Sequence, residues 1–190
     1  MSTRRDFIKS FGVLTAAILL GGAKEAFAMT NSNDIWFMPD ESDSHLRTLM
    51  AFGANRKIWG KKLLPEVRRN LATIALTIAK YEPVAMLVSQ SDLPVARRLM
   101  GDKVELIVCP LDDLWMRDTG PVFVLRENGG KAAVDINFNG WGEKQDFDND
   151  TKVASFVARR AGVRRIETDL VLEGGRYRSG RTRHGYDHRK

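Results

Sequence analysis

Leu111-Asp112-Asp113-Leu114-Trp115-Met116-Arg117-Asp118-Thr119-Gly120-Pro121 lies between two apolar runs, Val104 to Cys109 before it and Val122 to Leu125 after it. Runs of this length and composition predict strands, so the segment presents three carboxylates, an arginine and a tryptophan at a strand end. That set of groups suits a planar cation. A tryptophan face attracts a guanidinium or ammonium, and a carboxylate can take a guanidinium edge through two parallel charge-assisted hydrogen bonds. The same residues also allow a purely structural reading. In it Arg117 pairs with Asp112, Asp113 or Asp118, Trp115 fills the core, and Gly120-Pro121 makes a turn.

At 190 residues and 43% hydrophobic, the chain is long enough to bury one sizeable core. Its formal charge of +6 would ordinarily point to nucleic acid or an anionic membrane. The distribution of charge argues against both. Residues 176–190 carry a net +5 and residues 1–28 a net +2, which leaves residues 29–175 at −1. Cys109, the single cysteine, excludes an internal disulfide framework and argues against a zinc cluster. In an apolar strand run beside Pro110 it is expected to be a buried, inert thiol and not a nucleophile.

Residues 1–28 have the layout of an export signal. Thr3-Arg4-Arg5-Asp6-Phe7-Ile8-Lys9 matches the twin-arginine pattern, the apolar run Val13 to Leu20 is too short to span a bilayer, and Ala26-Phe27-Ala28 is a small-residue cleavage site. The expectation is a mature protein starting near Met29 in the periplasm, with no stable membrane anchor once the signal is removed.

Further along, Pro65 to Tyr81 predicts a helix with Val67, Leu71, Ile74, Ala75 and Ile78 inward and Arg68, Arg69 and Lys80 outward. A buried strand follows at Val84 to Val88, then a short helix capped by Ser91 or Asp92 and ended by Gly101. After the central segment, Val122 to Leu125 and Ala132 to Phe138 form a hairpin around Asn128-Gly129-Gly130. Asp150 is placed to cap a second helix with Val153, Phe156, Val157 and Ala161 inward, and strands return at Arg165 to Thr168 and Leu170 to Leu172. His45 is expected to be a solvated or structural histidine.

Trp115-Met116-Arg117-Asp118-Thr119-Gly120-Pro121 resembles the Trp-x-Arg-Asp-x-Gly-Pro signature of the agmatine deiminase and bacterial peptidylarginine deiminase family of guanidine-modifying enzymes. Arg47-Thr48-Leu49-Met50-Ala51-Phe52, Phe138-Asn139-Gly140-Trp141-Gly142 and Leu172-Glu173-Gly174-Gly175 agree with that family in order, so the resemblance runs from about Phe37 to Gly175. It implies an α/β fold: a five-bladed propeller, or pentein, built from β-β-α-β units around a central pocket, with residues 29–175 as its N-terminal part. It implies a small guanidinium substrate, agmatine or peptidyl-arginine, and no metal or organic cofactor. In the family a cysteine thiolate attacks the guanidinium carbon, histidine acts as general acid as ammonia leaves, and water hydrolyses the intermediate. On this chain the resemblance assigns Asp118 and Glu173 as carboxylates that pin the guanidinium and Trp115 as a pocket wall. Arg117 is expected to orient the loop carboxylates, or else to meet a substrate carboxylate.

After Gly175 the family pattern is lost. Residues 176–190 have no apolar period, and the family's apolar strand and Asp-Gly-x-Gly-Thr are missing. Suitable codons for this tail, read one base later, encode Ala-Ile-Asp-Leu-Asp-Gly-His-Gly-Thr-Ala-Met-Ile-Thr-Glu, which restores that motif in its place. The tail is therefore expected to be frameshifted, neither His184 nor His188 stands in for the catalytic histidine, and the 190-residue product is expected to be an inactive fragment or a cation-binding remnant. Sequencing the encoding DNA through and beyond codon 175 is expected to show a one-base correction that opens a frame containing histidine-x-aspartate and a late cysteine. A shifted frame without those motifs would refute the frameshift.

Overall fold

The computed structural model describes residues 35–176, so residues 1–28, expected to be an export signal, and residues 177–190, with His184 and His188, lie outside the described residues. The described chain is built on two three-stranded sheets. In the first, β1 (Thr48–Phe52), β2 (Val84–Val88) and β3 (Glu105–Val108) run parallel in the order β1-β2-β3. Two helices make the crossovers, α1 (Arg56–Ile78) and α2 (Leu93–Met100). β2 is central, and all five of its residues are buried. That is why it is a continuous apolar run and not an alternating one.

One face of this sheet packs Phe52, Val84, Met86 and Val88 against Leu71, Ala72 and Ala75 of α1 and Ala96 and Met100 of α2. The other face carries Ala51, Ala85, Leu87 and Ile107 onto Val153 and Val157. Those two residues belong to a further helix, which also serves the second sheet.

The second sheet pairs β4 (Val122–Leu125) antiparallel with β5 (Lys131–Asp135), and β5 parallel with β6 (Arg164–Glu167). Two one-turn helices flank the pair, α3 (Met116–Thr119) before β4 and α4 (Gly140–Glu143) after β5. The crossover to β6 passes through a 3-10 turn, Asp150–Lys152, and α5 (Val153–Arg160). β4-β5-α5-β6 is thus one β-β-α-β unit, as the family resemblance implies. The first sheet differs: among the described residues it is an all-parallel β-α-β-α-β. The α/β class is observed, whereas the described residues do not establish five blades.

Several expectations are corrected. α1 begins nine residues before Pro65, because Asn55 caps it by accepting the Ile58 N–H at 3.1 Å. A first turn, which includes Trp59, breaks at Gly60 (φ 64°, ψ 176°), a conformation in the left-handed half of the map that glycine adopts without a Cβ penalty. Ile74 is exposed, and Arg68 turns inward to pair with Asp92 and lie over the Phe52 ring at 5.9 Å. Ala161 is exposed, and Ala154 and Ala158 take the inward positions. β1 is a strand the pattern did not announce. Leu170 to Leu172 is not a strand; it is tied back by the Leu172 N–H donating to the Ile136 carbonyl at 3.0 Å.

Before β1, the segment from Ile35 is fastened to the hairpin. Phe37 bridges Leu125 through paired backbone hydrogen bonds of 2.9 Å, and the Arg126 guanidinium stacks on the Trp36 ring at 4.0 Å. Truncating Met86, fully buried on the central strand, leaves a cavity between β2 and the two crossover helices. Met86→Ala is expected to lower the unfolding free energy by about 2–5 kcal/mol in chemical denaturation.

Candidate active site

The segment after β3 runs along the carboxyl ends of the parallel strands, where open α/β sheets bind their ligands. Its position is set by two carboxylates that cap each other's backbone. Asp150 accepts the Asp112 N–H at 2.9 Å and the Asp113 N–H at 3.2 Å. Asp112 in return accepts the Asn149 N–H at 2.6 Å, the Asn149 side-chain amide at 2.7 Å and the Asp150 N–H at 3.1 Å, which satisfies the start of the 3-10 turn. Asp150 therefore does not cap α5, as the sequence pattern predicts; its carboxylate is spent on the central segment.

Asp113 is 1% exposed. It accepts the indole N–H of Trp59 at 2.8 Å, the indole N–H of Trp115 at 2.9 Å and the Gln145 amide at 3.2 Å. The rings of Trp59 and Trp115 lie 6.4 Å apart at 31°, Trp141 meets Trp115 edge-on at 5.7 Å, and Phe138 meets Trp141 edge-on at 5.0 Å. Trp141 holds its place with a left-handed backbone (φ 58°) inside α4, a strained conformation for a bulky residue. Trp115 is 39% exposed, so it does not fill the core.

Asp118, in α3, accepts the Gly175 N–H at 3.2 Å, which joins it to the Glu173-Gly174-Gly175 segment. A Cβ on Gly174 would meet the Arg117 carbonyl at 2.1 Å, so only glycine lets that segment lie this close to α3. The structure thus brings together the sequence stretches that hold Trp115, Asp118 and Glu173. Arg117 is exposed and pairs with Glu41 in the opening segment. The loop carboxylates are oriented instead by Trp59, Trp115, Asn149 and backbone N–H groups. Trp59, Trp141, Asp113 and Gln145 were not singled out as site residues. The Phe138-Asn139-Gly140-Trp141-Gly142 motif was the available signal for Trp141, and nothing local connects Trp59 to a loop 54 residues away.

The remaining candidates are structural. Cys109 is buried, and desolvation, followed by the nearby Asp150 charge, pushes its thiol up to about 11, which keeps it neutral. His45 hydrogen-bonds Glu82 at 2.8 Å on an exposed surface, and its pKa is raised first by the Asp43 carbonyl and then by Glu82. A surface groove of about 510 Å³ between β3 and α5 is lined by Arg159 and Arg160 together with Leu106, Val108 and Phe156. Those guanidinium groups carry the wrong sign for a cationic ligand.

The family model described as Porphyromonas-type peptidyl-arginine deiminase matches residues 37–180. The chain belongs to that family. An agmatine deiminase of Stutzerimonas stutzeri is 34% identical over 77% of this chain and 41% of its own length. A Streptomyces coelicolor relative provisionally named agmatine deiminase is 40% identical over 73% of this chain and 42% of its own length. In structure the chain is similar to agmatine deiminase of Enterococcus faecalis, with a TM-score of 0.71 and 28% identity over 76% of this chain and 41% of that one. This family sequence therefore spans about two-fifths of the length of the deiminases it matches.

Burial pushes the Asp150 carboxyl up to about 6, and the Asp112 and Asp113 charges add to the rise against the lowering effect of the two N–H groups it accepts. Its ordinary value is 3.8, so the folded protein takes up this proton at higher pH than the unfolded chain. Stability is therefore greatest when Asp150 is protonated, and it falls as pH rises from about 4 to above 6. The unfolding free energy is expected to be about 1 kcal/mol higher at pH 5 than at pH 7, and Asp150→Asn, which keeps one acceptor oxygen and cannot titrate, is expected to remove that component. Denaturant melts of both proteins across this range measure it; an identical slope in the two would contradict the assignment.

Proposed function

We propose that Trp115, Asp118 and Glu173 form the guanidinium-recognition part of a deiminase site, with agmatine as substrate and N-carbamoylputrescine and ammonia as products. The observation that carries the reading is the turn Trp115-Met116-Arg117-Asp118. It presents an exposed indole and a carboxylate beside the Glu173-Gly174-Gly175 segment, in a chain that belongs to a deiminase family. The indole face supplies attraction for a delocalised cation, and carboxylates take its N–H edges, which fixes the direction in which the guanidinium carbon is presented. Agmatine is favoured because the relatives with the higher identities carry that name.

Peptide-linked arginine is the second reading. The description of the family favours it, and so does Arg117, whose exposed guanidinium beside Glu41 is positioned to meet anionic groups of a larger substrate. Ammonia release on adding either compound reports hydrolysis; binding without release marks a recognition module.

Calorimetric titration of the chain with agmatine tests the site directly. Trp115→Ala and Asp118→Asn are each expected to weaken binding by about tenfold or more, the loss of one charge-assisted or cation–π contact. Affinity unchanged in both variants would remove these residues from the site, and tighter binding of an N-acylated arginine than of agmatine would favour the peptide substrate.

A further inference from the structure

We propose that Asp113 is the positioning residue of the cation-binding face, holding Trp115 and Trp59 in register by their indole N–H groups. The inference rests on the reading of Trp115 as the ring that meets the guanidinium. Asp113 follows β3 in the segment that Asp150 clamps, so its backbone is fixed before its side chain acts. Its two carboxylate oxygens are divided between the two rings: Oδ1 accepts from Trp59 at 2.8 Å, and Oδ2 from Trp115 at 2.9 Å and from Gln145 at 3.2 Å.

Geometry gives this arrangement a purpose beyond satisfying a buried acid. Trp59 comes from the first turn of α1, Gln145 from the segment after α4, and Trp115 from the start of α3. One carboxylate thus ties three separate parts of the chain to a single point at the N–H edge of the aromatic wall. With its N–H engaged, the Trp115 ring cannot rotate about its side-chain bonds without giving up a charge-assisted bond, so its face direction is set. Trp59, tilted by 31° beside it, is set by the same group. Because an indole N–H lies in the plane of its ring, the Asp113 carboxylate sits at the edges of both rings and not across their faces.

Asparagine at this position offers one oxygen and one amide, so it can accept from one indole and must oppose the other. Asp113→Asn is expected to weaken agmatine binding by about tenfold in the wild-type background and by less than about twofold when Trp115→Phe has already removed the donor. Equal losses in the two backgrounds would show that Asp113 acts on stability alone and would overturn the proposal. A ligand-free readout covers the case in which Asp113→Asn does not fold. In the wild-type chain the indole N–H resonances of Trp59 and Trp115, assigned with Trp59→Phe and Trp115→Phe, are expected downfield and slow to exchange with solvent. Rapid exchange of both would overturn the proposal whether or not agmatine binds. If wild-type protein ignores agmatine while both indole protons are protected, the guanidinium reading of Trp115 fails, and with it the cation-binding role of this face, while the hold of Asp113 on the two rings stands.

Discussion

The described structure depends on a reciprocal cap: Asp112 satisfies the backbone at Asn149 and Asp150, and Asp150 satisfies the backbone at Asp112 and Asp113. Each carboxylate answers N–H groups that would otherwise be buried without a partner, so the exchange fixes two irregular segments at once. One is the segment after β3, and the other is the entry to α5. α5 in turn packs on both sheets, so the clamp sets where the central segment lies relative to the core. Burial first, and then the charges of Asp112 and Asp113, raise the Asp150 pKa, an electrostatic cost accepted in return for a rigid loop.

Rigidity there matters for the proposed site, because recognition of a planar cation depends on direction as well as on charge. An indole face and a carboxylate edge must meet the same planar ligand at right angles to each other's contacts. Such a meeting needs both side chains placed to within a fraction of an ångström. The fold supplies this with a parallel sheet covered on both faces, whose carboxyl ends form a firm rim. On that rim Asp113 holds the rings, and the close approach of Gly174 to the Arg117 carbonyl draws the Glu173 segment against Asp118. The exposed Arg117–Glu41 pair is screened by water and adds little to this arrangement.

Much of the fold was legible in the sequence where a single element declares itself. β2 is an apolar run between Pro83 and Ser89, α2 lies between Asp92 and Gly101, and the β4–β5 hairpin turns on Asn128-Gly129-Gly130; all three elements form, although Asp92 gives its carboxylate to Arg68 and Ser89 and not to a helix cap, and β5 ends at Asp135 and not at Phe138. β1 was not legible because its five residues carry no alternation and become a strand through parallel pairing with β2. Asp150 was misread because a carboxylate before a helix has the same local pattern whether it caps that helix or reaches across to another backbone. Of the site, Trp115, Asp118 and Glu173 were visible as a motif, whereas Trp59, Gln145 and the role of Asp113 were not, since their partners lie 32 to 54 residues apart in the chain or depend on such a contact.

By itself the sequence determined most element positions and the inert character expected of Cys109, while its resemblance to the deiminase family implied the α/β class and the residues proposed to meet a guanidinium. Element positions follow from local periodicity, turn chemistry and side-chain type, which are properties of neighbours in the chain. Tertiary structure alone decided which carboxylates hold backbone, which holds indoles and which meets the Gly175 N–H beside Glu173. Asp112, Asp113, Asp118 and Asp150 are the same chemical group, and what separates their roles is the set of donors that folding carries to each.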